Sequence, residues 1–323
     1  MPGRRQLDLL SPFDVASRPL SPVRRRLLDA AGEIAAGSPE DIAFHHSVWC
    51  QCALPTAKPP EGKKVWEKRQ GRAYLRVEAG VVLDPDTGRH AEPGLPYGPK
   101  ARLLLIHLNS EAIRRQSPVI PVEDSMTAFF RRLMGKTQDG RQVRMLKAQL
   151  SALAAASLRI SISYGEERAV QLNSHLVAAF DLWFPDRVGP RVLWPSTLQL
   201  SADYFGNLSK YAVPLDERAI AALAKSATAL DIYCWLAQRL HRIPVGRPQL
   251  VPWTAVFEQF GQGYSVLRQF RSFFLTQLRL VRAAYPEARL QVDSRGLTLE
   301  HSEPPVAKRV SAVRAICDGM ISA

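Results

Sequence analysis

The stretch that decides the fold is 100–156, KARLLLIHLNSEAIRRQSPVIPVEDSMTAFFRRLMGKTQDGRQVRMLKAQLSALAAA. Its first part, 100–115, sets Leu104, Leu105, Leu108 and Ala112 on one side of a helix. A short strand is expected at 119–122, then Asp124 as N-cap of a short helix over 125–134. Asp139-Gly140-Arg141-Gln142 resembles a capping box and opens a longer helix that runs to Ala156. Beyond the quoted stretch, alternating segments at 158–164 and 169–173 flank the turn residues Gly165-Glu166-Glu167. Helix, short helix, longer helix and hairpin, in that order, read as a winged helix-turn-helix.

The same order recurs downstream. A helix at 227–243 carries Leu230, Tyr233 and Leu236 at helical spacing, and Pro252 suits the first turn of a short helix ending at Phe260. Gly261-Gln262-Gly263 makes the turn, 264–284 is the longer helix, and 289–292 with 297–300 form a hairpin around Asp293-Ser294-Arg295-Gly296. The two copies overlay at one offset of 128: Leu104 on Ile232, Leu108 on Leu236, Phe129 on Phe257, Gln149-Leu150 on Gln277-Leu278. The expected fold class is α+β, built as two tandem winged helix-turn-helix modules. The expected boundaries are a basic lead-in at 1–40, a first module with extra N-terminal strands at 41–190, a second module at 191–301 and a tail at 302–323. Within these spans, a helix is expected at 24–36 and strands at 43–52 and 72–83, the last followed by the turn Asp84-Pro85-Asp86-Thr87-Gly88. Each half carries its own apolar stripe, so 191–301 alone is expected to fold.

Charge narrows the function. The chain has 43 Lys+Arg against 30 Asp+Glu in 323 residues, a net +13, and a chain of that sign meets a polyanion. Arginine greatly outnumbers lysine, which favours forked contacts to phosphate and guanine. No apolar run reaches the length of about 20 residues that crosses a bilayer, so no membrane partner is expected. The first residues hold Asp8, Asp14 and three prolines and do not read as a signal peptide. Cys50, Cys52, Cys234 and Cys317 form no secreted disulfide framework, so a cytoplasmic location is expected.

Several blocks carry a resemblance: Gly94-Leu95-Pro96-Tyr97-Gly98-Pro99-Lys100, Phe180-Asp181-Leu182-Trp183-Phe184-Pro185, AVPLDERAIAALAKSATALDIYCWLAQRLHRI at 212–243, and Phe260-Gly261-Gln262-Gly263-Tyr264. From about Phe44 to about His301 the chain resembles the plasmid-encoded RepA family of replication initiators. The resemblance implies binding to double-stranded plasmid origin DNA, recruitment of host replication proteins and a link to copy control. It also implies a fold of two winged helices, with the second reading repeated sites, and interconversion of a homodimer with a monomer. It brings no catalytic residues.

A recognition helix buries one stripe and offers the other to the major groove. In the first module Val143, Leu146, Leu150 and Leu153 are the stripe, leaving Arg141, Gln142, Arg144, Met145, Lys147 and Ala148 on or near the open face. In the second, Leu267, Phe270, Phe274, Leu278 and Val281 are the stripe, and Tyr264, Arg268, Arg271, Ser272, Arg279 and Arg282 face outward. Arg268 and Arg271 suit bidentate contact to guanine, Arg279 and Arg282 suit phosphate, and Arg295 sits at the wing tip. Arg24-Arg25-Arg26 reads as a solvated helix start.

Other patterns fail on inspection. Gly135-Lys136-Thr137 looks like the end of a phosphate loop, but Phe130 stands where that loop needs glycine. His45, His46, Cys50 and Cys52 lack a second ligand pair, and neighbouring strand residues point to opposite faces. Neither a metal nor a cofactor is expected, and no enzymatic activity. Two other readings remain at this stage: a transcriptional repressor on the same fold, and a rolling-circle nicking endonuclease, which the missing alternating histidine motif disfavours.

Overall fold

A computed structural model of the chain describes residues 22–37, 39, 41–83, 88–122, 126, 128–131, 140–164, 168–181 and 197–306. The turn at 84–87, the capping Asp124 and Asp139, the glycine-lysine-threonine stretch 135–137, the turn at 165–167, the segment 182–196 and Cys317 lie outside the described residues, as do 1–21 and 307–323.

The chain opens with helix α1 (Pro22–Ala36), strand β1 (Ile42–His46) and the one-turn helix α2 (Ser47–Gln51). The strand expected over 43–52 therefore ends early. The His46 side chain accepts the Val48 N–H at 3.1 Å and caps a helix there instead. Strands β2 (Val65–Gln70), β3 (Ala73–Glu78), β4 (Val82–Leu83) and β5 (His90–Ala91) follow. Helix α3 (Gly98–Arg115) has proline in its first turn and two arginines in its last. Then come β6 (Val119–Pro121), α4 (Gly140–Ala155), β7 (Ser157–Tyr164), β8 (Arg168–His175), β9 (Val177–Asp181) and β10 (Thr197–Leu200). The second half holds α5 (Ala202–Tyr211), β11 (Ala212–Asp216), α6 (Glu217–Leu223), α7 (Ala227–Arg239), β12 (Gln249–Pro252), α8 (Trp253–Phe260), α9 (Leu267–Ala284), β13 (Leu290–Val292) and β14 (Gly296–Leu299).

The second half follows the expected order of elements. Strand β12 precedes α8, and the β13–β14 hairpin follows α9, in an antiparallel sheet of order β12-β14-β13. The first half departs from expectation in its hairpin. Strands β7 and β8 do not join β6; they extend β2 and β3 into a sheet of order β2-β3-β7-β8. The cause is register: Leu158 lies opposite Val77 and Ile160 opposite Leu75, so four buried side chains continue one apolar face across the two strands. Strand β6 pairs instead with β10, and β10 with β9, giving the order β6-β10-β9. Each half thus has a three-stranded sheet whose first strand pairs with its last, and the first half carries the β7–β8 hairpin as an insertion between α4 and β9. Residues 197–200, grouped with the second half on sequence grounds, are partners of β6 and β9.

The halves share one core rather than burying two. Strand β1 pairs antiparallel with β11, Ile42 opposite Asp216 and His46 opposite Ala212, and packs on α3. Helix α2 packs on α7, and α1 packs on α6 and α9. Every residue of α7 from Ala227 to Gln238 is buried, and one continuous apolar cluster runs from Ala43 to Leu299. A buried ion pair crosses the seam. Arg102 of α3 meets Asp231 of α7 bidentately, with Nε on Oδ1 at 2.6 Å and Nη2 on Oδ2 at 2.7 Å. The remaining N–H groups of Arg102 donate to the carbonyls of Leu54, Pro55 and Gly98, so all five guanidinium donors are satisfied.

Candidate nucleic-acid interface

Helix α9 is held from behind. Phe270, Phe274, Leu278, Val281 and Ala284 are buried. Phe270 meets Phe257 edge-on at 5.2 Å, and Phe274 meets Trp253 at 5.9 Å and Phe260 at 5.6 Å. The chain turns into α9 through two glycines. A Cβ at Gly261 would lie 2.5 Å from the Phe257 carbonyl oxygen, and Gly263 has φ +83°. The helix starts three residues later than expected, which leaves Tyr264 in the turn, half-buried against Phe270 and Phe273.

Opposite the buried stripe, Arg268, Ser272, Arg279 and Arg282 are exposed along one helix. Arg271 is half-buried, its guanidinium 4.6 Å from the centre of the Trp253 ring. Leu267, expected in the buried stripe, is instead exposed. It begins the helix, so no preceding turn covers it. At the tip of the β13–β14 hairpin, Asp293 accepts the backbone N–H groups of Arg295 and Gly296 and pairs with the Arg295 guanidinium at 3.0 Å. Those contacts, led by the Arg295 backbone N–H, hold the Asp293 carboxyl below its usual range. Arg295 therefore stands at the exposed tip with part of its fork engaged.

On α4, Arg141, Arg144 and Lys147 are exposed, Gln142 and Val143 are half-buried, and Leu146, Leu150 and Leu153 are buried. The two helices are anchored in the same way at matching residues. The Gln149 Oε1 accepts the Tyr97 N–H at 2.7 Å, and the Gln277 Oε1 accepts the Ser226 hydroxyl at 2.6 Å. Tyr97 and Ser226 are the N-caps of α3 and α7. Both glutamines appear in the 128-residue overlay, so the signal was present; their role as anchors was not.

The histidines are structural. His45 Nδ1 accepts from the Asn109 amide at 3.1 Å, and His46 Nε2 donates to Asn207 Oδ1 at 2.7 Å. Burial lowers their pKa values to about 3 and about 4. Cys50, Cys52 and Cys234 are free and buried, and burial raises the Cys52 thiol to about 12. Among the described residues, no group of three or more His, Cys, Asp or Glu could hold a metal ion, and no helix is long and apolar enough to cross a membrane.

No curated protein matches the chain. A crystal structure of selenomethionine derivatives of domains 2 and 3 of RctB is similar, with a TM-score of 0.47 at 10% identity, covering 80% of this chain and 99% of that one. A second crystal structure of RctB domains 2–3 gives a TM-score of 0.42 at 10% identity over 70% of this chain and 80% of the other. Residues 95–255 match the family model described as "Plasmid encoded RepA protein", and this chain belongs to that family of plasmid replication proteins.

Proposed function

We propose that the chain initiates replication by binding plasmid origin DNA sequence-specifically through two winged-helix units, and that α9 is the principal reading helix. The observation that carries this is α9 itself: an aromatic-anchored helix of 18 residues whose open face holds Arg268, Ser272, Arg279 and Arg282 and whose first turn has no acidic residue. The order helix α7, strand β12, helix α8, helix α9 and hairpin supports a winged helix, in which the reading helix enters the major groove. In the first unit the β6-β10-β9 sheet takes the place of the wing sheet, so the division we propose falls after β10, near residue 201. Arg279 and Arg282 supply phosphate contacts and Arg268 base contact, with Arg271 oriented by Trp253. Arg141, Arg144 and Lys147 add phosphate contacts from α4, with Gln142 beside them. Recruitment of host replication proteins follows binding in this reading, and no step asks the chain for catalysis.

Arg268→Ala combined with Arg271→Ala tests it. Each bidentate base contact is worth about 1–3 kcal/mol, so the pair should weaken origin binding several hundredfold without loss of fold. Footprints on the replicon's own origin that are unchanged in the double variant sink the assignment. Replication of a plasmid carrying this gene and its flanking DNA separates an initiator from a repressor.

A further inference from the structure

On the reading of α9 as the DNA-contacting helix, we propose that Val266 and Leu267 recognise thymine by apolar contact with its 5-methyl group. These side chains are 46% and 38% exposed, whereas most large aliphatic side chains of the chain lie in one continuous core. They are not scattered. Residues 265–269, Ser-Val-Leu-Arg-Gln, are all exposed and span the entry to the helix and its first turn.

Stability does not explain the choice. Val266 occupies the N-cap and makes no side-chain cap bond, where serine or aspartate would stabilise the helix. A locally unfavourable residue kept on an open surface points to contact with something else. In the major groove thymine presents a methyl group beside its O4 acceptor, and it is the base edge there with an apolar group. Next to the aliphatic pair stand Arg268 and Gln269, the side-chain types that fork onto guanine and adenine. One turn therefore offers complements to three different bases. Charge favours DNA as the occupant over a second copy of the chain, because the same helix face is arginine-rich and its first turn holds no acid.

The test starts with duplex sites selected from a random pool by the full chain. The preferred site is then remade with each thymine replaced in turn by uracil, which keeps O4 and lacks the methyl group. Loss of one buried methyl should weaken binding about fourfold at each contacted thymine. The same penalties should vanish in the Val266→Ala/Leu267→Ala variant. Uracil tolerated at every position overturns the proposal, and so does an undiminished uracil penalty in the variant. Dissociation of a dimer by these substitutions with the penalty unchanged would assign the patch to self-association and overturn it equally. The uracil series on the unaltered chain stands even if the variant misfolds. A pool that yields no enriched site would overturn the DNA-reading function itself, a distinct result.

Discussion

Helices α4 and α9 occupy matching places in the 128-residue overlay, and each is pinned by a glutamine to an N-cap, that of α3 for α4 and that of α7 for α9. Their surroundings differ. Helix α9 leads straight into the β13–β14 hairpin through a short turn. Helix α4 leads into β7, and the inserted β7–β8 hairpin commits the chain to a four-stranded sheet with β2 and β3 before the β6-β10-β9 sheet is completed. The second half is the plainer form and keeps α9 directly before its hairpin. The first half carries in addition the four-stranded sheet β2-β3-β7-β8. The two halves thus differ chiefly at a hairpin, where extra residues disturb the packed helices least.

The largest expected effect attacks the seam that makes the halves one body. Arg102→Ala leaves the buried Asp231 carboxylate without its partner and should cost about 3–5 kcal/mol, read from the denaturation midpoint. Arg102→Met with Asp231→Leu should restore much of that loss. A fragment of residues 191–301 goes further: it lacks Arg102, the β1 partner of β11, and both neighbours of β10. It should not melt cooperatively, and a folded fragment would show the halves to be separable after all.

A somewhat smaller effect follows from the histidines at the same seam. His45 of β1 reaches Asn109 in the first half and His46 reaches Asn207 in the second. Both have folded-state pKa values, about 3 and about 4, below the ordinary 6.5. The unfolded chain takes up protons that the folded chain refuses, so stability is full above pH 6.5 and is lost as pH falls toward those values. Each histidine should cost about 1.4 kcal/mol per pH unit in that window, or roughly 3 kcal/mol together at pH 5.5. His45→Gln should flatten the slope by about half; an unchanged pH profile would remove the histidines from the account.

The smallest effect sharpens the contrast between α4 and α9, on the proposed reading of both as DNA-contacting helices. Arg141→Ala, Arg144→Ala and Lys147→Ala together should reduce the slope of log K against log salt by about 0.9 for each phosphate that the variant no longer neutralises. Sequence preference should stay as it was. An unchanged slope would make α4 a scaffold helix that does not touch DNA.

Much of this plan is legible in the sequence, and the illegible parts have a common cause. Periodicity reveals the helices and their offset because a helix is a local object: Phe270, Phe274, Leu278 and Val281 repeat within one element. Strand partners are not local. Alternation in 158–164 is the same whether its neighbour is β6 or β3, and the register that decides it lies some eighty residues earlier. Leu267 obeys the stripe spacing, yet as the first helical residue it has no preceding turn to cover it. Arg102 interrupts an apolar run on α3, as Asp231 does on the equivalent helix with the opposite sign. Two opposite charges inside two equivalent apolar runs are a readable sign of a buried pair.

The pairing of β1 with β11 has a consequence for synthesis. At roughly 5–20 residues per second, a ribosome that has made β1 needs on the order of ten to thirty seconds more to deliver its partner strand. Until residues 212–216 emerge, Ile42–His46 has no edge to close on, and Trp49 and Cys50 of α2 have no α7 to cover them. Folding of this chain is therefore bound to late translation. Polypeptides released before the midpoint of α7 should be substrates for chaperones and proteases rather than partly folded copies of the chain, so that synthesis yields the complete molecule or nothing durable.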